Sequence, residues 1–383
     1  MNYLIFIMED LKMILRRLIS MILLLVILAA FSFLTAVGKE KNLGQSGGAQ
    51  IAVYTSPATS EIKIGAKELK TPLAGWRKWT VERPGMQTLD VYIAGDTTEK
   101  KPVLLLVTGS KCRPVFDVKE NGKVNSPLFT TDASFYRKTG FITVVMERRG
   151  VKSFEPIPPE IAAIDIRTRC RDDYGALSKF DRVKDLEDCV RALRREKWFG
   201  KLAILGHSEG VDVTTGLAKT LGDQDILALG LMAGASPSQF GDFILEARAQ
   251  KDNIKAMAIF DDVIWLTSEK AEGKYGGYPL KRWRSYAIES TPMEDVRESM
   301  VPVFVANGSR DTHAPIGGAD TFVLELLRRQ EKRNVLYLSI ADLDHNFMDA
   351  KGNDLSLAVI KEFAAWALSS DKGRKVLMSL PVH

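Results

Sequence analysis

Short apolar runs bounded by Gly, Pro and Asp recur along the chain from about Ile51 onward. Residues 103–107 form a continuous run of this kind, as expected for a strand that is covered on both faces. Similar runs follow at residues 141–146, 201–205, 226–232, 301–306 and 335–340. Ahead of them, residues 76–82 and 88–93 flank Arg83-Pro84-Gly85 and predict an antiparallel hairpin.

Helix-like segments separate these runs. Within residues 181–198, Val183, Leu186, Val190 and Leu193 recur at spacings of three and four, so they share one face of a helix. Further helices are predicted at residues 208–221, 318–330 and 355–368. Strands that alternate with helices predict an α/β fold, in which a mainly parallel central sheet carries helices on both faces.

The stretch after the sixth predicted strand interrupts this alternation. Residues 233–300 separate two strand-like runs, and a connection between strands is normally much shorter. We predict a helical insertion at residues 236–300. A lid over a pocket is favoured, because long insertions are usually functional, and a helical elaboration on the surface is the alternative.

The N-terminus differs from the rest of the chain. Arg16 and Arg17 precede a largely apolar run at residues 18–34, and small residues follow it. This pattern predicts a secretory signal peptide, while the length of the run also permits an uncleaved membrane anchor. Because arginines stay on the cytoplasmic side, we expect an exported protein, either periplasmic or membrane-anchored. The predicted organisation is a signal or anchor at residues 1–38, a linker at 39–50 and a folded domain at 51–383.

The composition is that of an ordinary globular protein, with 45% hydrophobic residues, 26% charged residues and a net charge of +5. Lys and Arg are mixed with Asp and Glu, without the basic stripe that nucleic-acid binding requires, so no nucleic-acid partner is expected. The three cysteines, Cys112, Cys170 and Cys189, are too few for a disulfide framework. None lies at metal-ligand spacing from another Cys or from His, so no metal site is expected. Any disulfide pairing and the oligomeric state are left open.

The sequence Gly206-His207-Ser208-Glu209-Gly210 is the strongest candidate for chemistry. It follows the apolar run at residues 201–205 and precedes a predicted helix. In this strand–turn–helix context, a Gly-x-Ser-x-Gly sequence exposes a nucleophilic serine. The flanking glycines avoid a clash with neighbouring backbone, and the helix N-terminus favours developing negative charge. Ser208 is therefore the predicted nucleophile.

A serine hydroxyl needs a base that accepts its proton, and the chain has four histidines. His207 adjoins Ser208, but its side chain is expected on the other side of the turn, and His383 is the last residue. His345 follows the last strong strand-like run, so its loop opens onto the same rim of the sheet as Ser208. His345 is therefore the predicted base, and His313 is expected to line the pocket or to pack locally.

The base in turn needs an acid that fixes its tautomer and stabilises its cationic form. Asp311 is the candidate, since it follows the strand-like run at residues 301–306 and so faces the same rim. The resulting chain order of Ser, Asp and His is the one expected for this architecture. Asp320, Asp342 and Asp344 are rivals.

From about Trp76 to the C-terminus, the chain resembles the α/β-hydrolase superfamily. The features that match are the elbow at residues 206–210, the Gly-Ser-Arg-Asp311 loop and the Asp-His345-Asn-Phe sequence. Within this superfamily it is similar to bacterial esterases and to peptidases of the dipeptidyl-aminopeptidase and acylaminoacyl-peptidase type.

The resemblance also implies an oxyanion hole. One N–H group comes from the residue after the nucleophile, here Glu209, and another from the loop after the third strand. Ser110 is the expected second donor, with Lys111 as its neighbour. Where the family often has His-Gly this chain has Thr108-Gly109, which leaves the register open by one residue.

Arg148 and Arg149 come just after the strand-like run at residues 141–146, so they are expected to face the same rim. Either arginine could bind a substrate carboxylate. Pairing with Glu147 or with Asp172-Asp173 is the favoured alternative.

Together these residues predict a serine hydrolase that cleaves a carboxylic ester through an acyl-enzyme intermediate. The expected substrate is a small molecule or a peptide, and no cofactor or metal is implied. Cleavage of a peptide or acyl-amide bond is the alternative, because the pocket rather than the triad decides which bond is cut. An inactive hydrolase fold that serves as a binding protein in the envelope is a third interpretation, which the complete set of three residues disfavours.

Overall fold

A computed structural model describes residues 63–71, 73–110, 114–119, 121–126, 130–149, 151–154, 178–329, 334–370, 372–373 and 375–377. The chain divides into units at residues 1–58 and 59–383, and every described element lies in the second unit. The predicted signal or anchor, the linker, Cys112 and Cys170 lie outside the described residues. Among the described helices, none combines the length and the apolar character needed to cross a bilayer.

The centre of the second unit is a ten-stranded sheet. The strands of the described chain are β1 (Lys63–Lys70), β2 (Trp76–Arg83), β3 (Met86–Ala94), β4 (Lys101–Val107), β5 (Asp117–Val118), β6 (Val124–Asn125), β7 (Ile142–Met146), β8 (Phe199–His207), β9 (Ile226–Met232), β10 (Lys274–Tyr275), β11 (Tyr278–Pro279), β12 (Val303–Gly308), β13 (Val335–Ile340) and β14 (Lys375–Leu377). The order across the large sheet is β1-β2-β3-β7-β4-β8-β9-β12-β13-β14. Strands β1, β2, β3 and β7 pair antiparallel in that order, and every pair from β7 to β14 is parallel.

Helices cover both faces of this sheet. They are α1 (Ala133–Arg137), α2 (Lys179–Leu193), α3 (Gly210–Leu221), α4 (Gln239–Ala249), α5 (Asn253–Thr267), α6 (Leu280–Ala287), α7 (Pro292–Val296), α8 (Ile316–Leu327) and α9 (Ser356–Leu368). Buried side chains of α2, α3 and α8 belong to one hydrophobic cluster, and those of α1 and α9 belong to a second. The predicted α/β fold, with a mainly parallel sheet between two layers of helices, is therefore confirmed.

Strand β4 shows why a continuous apolar run marks a central strand. Val103 and Leu105 point into the first cluster, whereas Leu104 and Leu106 point into the second. Successive side chains of a strand face opposite sides of the sheet, so both faces must be apolar where both are covered. The same rule accounts for the runs that became β7, β8, β9, β12 and β13.

The parallel strands end at nearly the same level, and this alignment creates a single rim. Val107 of β4 pairs with Gly206 of β8, and His207 pairs with Met232 of β9. Further along, Gly308 at the end of β12 pairs with Ile340 at the end of β13. The loops that leave these strands therefore come together at one edge of the sheet.

The predicted insertion contains α4 to α7 and the small β10–β11 hairpin. It has a hydrophobic cluster of its own, which includes Phe240, Ile259 and Leu280. Helix α5 also carries large apolar side chains on its exposed surface, among them Ile254 and Ile264. The helical insertion is present, and its role as a lid stays a prediction.

Cys189 is the one cysteine within the described residues, where it is buried and has no disulfide partner. Burial raises the pKa of its thiol to about 12, so it stays protonated at neutral pH. Its side chain packs in the first cluster as a small hydrophobic group.

A buried ion pair joins α2 to α7 at the end of the insertion. Lys179 Nζ lies 2.6 Å from Asp295 Oδ2, and both side chains are 0% exposed. The ammonium also donates to the Ser290 hydroxyl at 3.0 Å. Lys219 contributes a second contact to Asp295, but its side chain is 59% exposed.

We expect Lys179→Met to destabilise the protein by about 3–5 kcal/mol, because it leaves the Asp295 carboxylate buried without its main partner. Urea unfolding measures this loss. Lys184→Met is the matched control on the same helix, since the Lys184 side chain is 49% exposed. It should cost no more than about 1 kcal/mol. Equal losses for the two variants would contradict the assigned role of Lys179.

Candidate active site

Ser208 lies at the junction of β8 and α3. Its φ of 56° turns the chain sharply out of the strand. The helix therefore begins at Gly210, two residues later than the start at Ser208 that the sequence pattern predicted. The Ser208 N–H donates to the carbonyl of Met232 at 2.9 Å, which fixes the turn to the end of β9. A left-handed φ at a residue other than glycine is uncommon and is typical of residues at functional sites.

The glycines on either side of Ser208 are required by close backbone contacts. A β-carbon at Gly206 would lie 2.4 Å from the carbonyl oxygen of Gly210. A β-carbon at Gly210 would lie 2.4 Å from the carbonyl oxygen of Val107, at the end of β4. Neither position accepts a larger residue without moving backbone, which is the physical reason for the Gly-x-Ser-x-Gly spacing.

The structure brings Ser208, His345 and Asp311 together. His345 Nε2 lies 3.0 Å from Ser208 Oγ, and His345 Nδ1 lies 2.9 Å from Asp311 Oδ2. With its proton on Nδ1, the imidazole donates to Asp311 and leaves Nε2 free to accept the proton of Ser208. The three residues come from the loops after β8, β12 and β13, and they meet at the common rim.

Asp311 is held in place independently of His345. Its Oδ1 accepts backbone N–H groups from His313 and Ala314, each at 2.9 Å, and its side chain is buried. These two hydrogen bonds hold the carboxylate without a contribution from His345.

The rival aspartates have other partners. Asp320 Oδ1 accepts from the Tyr337 hydroxyl at 2.8 Å, in α8 rather than at the rim. Asp344 Oδ1 accepts the backbone N–H groups of Asn346 and Met348, and so shapes the loop that carries His345. The backbone N–H of Asp342, in the same loop, donates to the hydroxyl of Ser309.

The other described histidines flank His345. His207 Nε2 donates to the carbonyl of His345 at 2.9 Å, so it supports the loop rather than Ser208. The His313 ring lies edge-on to His345 with ring centres 5.3 Å apart, and its side chain is 69% exposed. Its Nδ1 is 3.7 Å from Glu246 on α4, which places the insertion at this side of the site. His383 lies outside the described residues.

The loop after β4 passes directly over Ser208. A β-carbon at Gly109 would lie 2.9 Å from Ser208 Cβ and 3.4 Å from Ser208 Oγ. Ser110, the predicted second oxyanion donor, follows on this loop and is exposed. Glu209 follows Ser208 at the start of α3. The predicted oxyanion residues thus lie next to Ser208 on two sides, and Lys111 lies outside the described residues.

Sequence patterns missed a buried charged cluster behind the elbow. Glu209 Oε1 lies 2.7 Å from Arg182 Nη1, and Arg282 Nη2 binds Glu209 Oε2. Burial alone would raise the pKa of Glu209, but Arg282, Arg182 and Arg148 outweigh it and hold the pKa below the usual value. One signal was present, because Arg182 precedes Leu186 by four residues and so falls on the buried face of α2.

Within the described residues, the side chains of Arg148 and Arg149 contact the loop after β4 and helix α2. The Arg148 side chain donates to the Thr108 hydroxyl at 3.1 Å and to backbone carbonyls of the same loop. Arg149 pairs with Asp185 of α2. The Glu147 carboxylate accepts instead from the backbone N–H of Val115 and from Ser153. Asp172 and Asp173 lie outside the described residues.

The fold is shared with known enzymes. The uncomplexed acylaminoacyl peptidase of Pyrococcus horikoshii aligns with a TM-score of 0.51 at 17% identity, over 78% of this chain and 43% of the peptidase. Its orthorhombic crystal form aligns with a TM-score of 0.50 at 15% identity, over 80% of this chain and 42% of the peptidase. Est1E from Butyrivibrio proteoclasticus aligns with a TM-score of 0.45 at 14% identity, over 76% of this chain and 98% of that protein.

The two alignments with the Pyrococcus peptidase show that the second unit has the α/β-hydrolase fold. The chain spans about two fifths of the length of the peptidase that it matches. No protein-family model and no curated protein sequence matches the chain.

Asp212 lies in the first turn of α3, just beyond the elbow. Its side chain is buried, and its Oδ1 has no hydrogen-bond partner among the described residues. Burial raises the pKa of this carboxyl to about 7, although Lys179 opposes the rise. The native state therefore binds a proton at Asp212 that the unfolded chain releases near the ordinary pKa of 3.8.

We expect this proton to make its full contribution to the free energy of unfolding below about pH 4. The contribution should fall as the pH rises from about 4 through 7, where the native state also loses the proton. Asp212→Asn, which stays neutral, should remove part of this loss, on the order of 1–4 kcal/mol, and should be the more stable form at pH 8. Urea unfolding between pH 4.5 and pH 8 measures the difference. Asp261→Asn is the control, since Asp261 is exposed on α5 and should leave the profile unchanged. An identical pH profile for wild type and Asp212→Asn would refute the expectation.

Proposed function

We propose that this protein is a serine hydrolase in which Ser208 is the nucleophile, His345 the general base and Asp311 the carboxylate that orients the base. The observation that supports the proposal is one continuous chain of hydrogen bonds. It runs from Ser208 Oγ to His345 Nε2 at 3.0 Å and from His345 Nδ1 to Asp311 Oδ2 at 2.9 Å. A base within hydrogen-bond reach of a hydroxyl, itself oriented by a buried acid, is the arrangement that activates a serine.

In the proposed reaction, His345 Nε2 takes the hydroxyl proton as Ser208 Oγ attacks the substrate carbonyl. Asp311 stabilises the imidazolium, and the backbone N–H groups of Glu209 and Ser110 bind the oxyanion. The imidazolium then gives its proton to the leaving group, and the acyl group stays on Ser208. Water, activated by His345, attacks the acyl-enzyme and releases the acid. Every proton in this cycle moves through Nε2 of His345.

A carboxylic ester is the proposed substrate class, either in a small molecule or at the end of a peptide. A triad of this kind can cleave either an ester or an amide, so the choice between the two depends on the pocket. Peptide or acyl-amide cleavage is the second candidate, favoured by the likeness of fold to an acylaminoacyl peptidase. An inactive binding protein is the third, and the intact hydrogen-bond chain at the rim argues against it.

A fluorophosphonate probe tests the nucleophile and the base. Wild type should be labelled on Ser208, and Ser208→Ala should not be labelled. His345→Ala should react about 10²–10⁴-fold more slowly, because general-base catalysis is lost. His313→Ala is the matched control and should react at close to the wild-type rate. Loss of labelling in His313→Ala but not in His345→Ala would transfer the role of base to His313, and labelling of Ser208→Ala would refute the nucleophile.

A pair of substrates with the same acyl group tests the bond type. We expect an N-acetylalanine ethyl ester to be hydrolysed with a measurable kcat/KM, and the corresponding p-nitroanilide to be hydrolysed no faster than by Ser208→Ala. Ser208→Ala corrects for background hydrolysis. Hydrolysis of the p-nitroanilide clearly above the Ser208→Ala rate would favour the peptidase candidate.

A further inference from the structure

The loop of residues 108–110, called here the 108–110 loop, is held by arginine side chains. Arg182 Nη2 donates to the Thr108 carbonyl at 2.7 Å, and Arg148 Nη2 donates to the same carbonyl at 3.2 Å. Arg148 Nη1 donates to the Ser110 carbonyl at 3.3 Å, and its Nε donates to the Thr108 hydroxyl at 3.1 Å. The guanidinium of Arg148 thus contacts both ends of the loop that passes over Ser208.

The same group of side chains holds the other side of the proposed oxyanion hole. Arg182 uses its second terminal nitrogen to bind Glu209 Oε1 at 2.7 Å, and Arg282 binds Glu209 Oε2. Arg182 also donates to the hydroxyl of Tyr286 at 3.1 Å. A single connected network therefore reaches from the 108–110 loop to Glu209, whose N–H is the other proposed donor.

The burial of these four charged side chains indicates that the network contributes little to the free energy of unfolding. Arg148, Arg182, Arg282 and Glu209 are 7%, 6%, 4% and 6% exposed. Taking several charges out of water is costly, and apolar packing of the same volume is usually at least as stable. What a buried guanidinium network provides is a fixed geometry, since each hydrogen bond constrains direction as well as distance.

The chemistry of the site supplies a reason for such a geometry. Oxyanion donors act only when their N–H groups already point to where the negative charge develops. Ser110 is exposed and lies on a loop, so its own packing does not fix the direction of its N–H. Arg148 binds the carbonyls of Thr108 and Ser110, on both sides of the peptide groups that set this direction.

We propose that Arg148 is a positioning residue of the oxyanion hole, which holds the 108–110 loop so that the N–H of Ser110 faces the reacting carbonyl oxygen. Arg182 links this loop to Glu209, so the two donors keep their relative placement. Arg148 itself does not touch the substrate. The proposal rests on the proposed serine hydrolase function.

Arginine suits this role better than lysine. Its planar fork presents several donors in fixed directions, and here three of its nitrogens each reach a different acceptor atom. A lysine ammonium would keep the charge but could not reach the three acceptor atoms together. Arg148→Lys therefore separates the effect of geometry from the effect of charge.

The test measures Arg148→Met with the ethyl ester substrate and with an alkyl trifluoromethyl ketone that carries ¹³C at its carbonyl. Ser208 adds to this ketone to form a hemiketal, whose carbon shift reports by NMR the pH at which its oxygen becomes an oxyanion. We expect kcat to fall about 10–100-fold with KM within about threefold of wild type, because one oxyanion donor is misdirected. The pKa of the hemiketal should rise by about 1, the equivalent of a tenfold loss of oxyanion binding.

Arg149→Met is the matched control. Arg149 is the next residue and pairs with Asp185 of α2, and among the described residues it forms no hydrogen bond with the 108–110 loop. Its loss should lower the unfolding temperature and leave kcat and the hemiketal pKa at wild-type values. A purely structural role for Arg148 would make the two variants alike in all three measurements, and that result would overturn the proposal.

Two further variants keep the test decisive if Arg148→Met does not fold. Arg148→Lys retains charge, and Thr108→Val removes only the hydroxyl that accepts from Arg148 Nε. Both should raise the hemiketal pKa and lower kcat without changing KM, and wild-type values in both would overturn the proposal. If instead wild type neither hydrolyses the ester nor reacts with the fluorophosphonate probe, the proposed function itself fails, which is a different result.

Discussion

The close packing of backbone around Ser208 is the constraint on which the rest of the site depends. The positive φ at Ser208 turns the chain from β8 into α3 within two residues, and Gly210 then packs against the carbonyl of Val107 at the end of β4. Because a β-carbon has no room there, β4, β8 and α3 cannot shift past one another without opening the core. The hydroxyl of Ser208 therefore has a fixed position. His345 and Asp311 need only extend from neighbouring strand ends to meet it.

The charged residues behind the elbow extend the same constraint to elements that are distant in the chain. Arg182 comes from α2, Arg282 from α6 and Arg148 from the loop after β7. Glu209 forms ion pairs with Arg182 and Arg282, and the charge of Arg148 also acts on it. Pairs of this kind add little net stability once the loss of hydration is counted, yet breaking one leaves a buried charge without compensation. The cluster thus allows one arrangement of these elements and penalises others. It is placed where a small displacement would move both proposed oxyanion donors.

Most of the fold, and the three residues at the rim, could be predicted because the signals are local. A run such as residues 103–107 marks a central strand by itself, and Ser208, Asp311 and His345 each follow such a run closely. The charged cluster could not be predicted in the same way, since its members are brought together only by the tertiary fold and charged residues are usually expected at the surface. Strands β5, β6, β10 and β11 were missed because each has two residues, too few to show alternation. Export and the N-terminal segment rest on the sequence pattern alone.

The contacts of the insertion bear on whether it moves. Arg282 and Tyr286 of α6 belong to the buried cluster around Glu209, and Asp295 of α7 is paired with Lys179 of α2. Opening α6 away from the site would expose or unpair these charges, which makes such a movement costly. Within the described residues, the ionic contact of α4 with the site is that of Glu246 with the exposed His313, and α5 has no ion pair and presents apolar side chains to solvent. Any movement that admits substrate is therefore expected in α4 and α5. Helix α6 is expected to keep its place, because Arg282 and Tyr286 hold it to the charged cluster around Glu209.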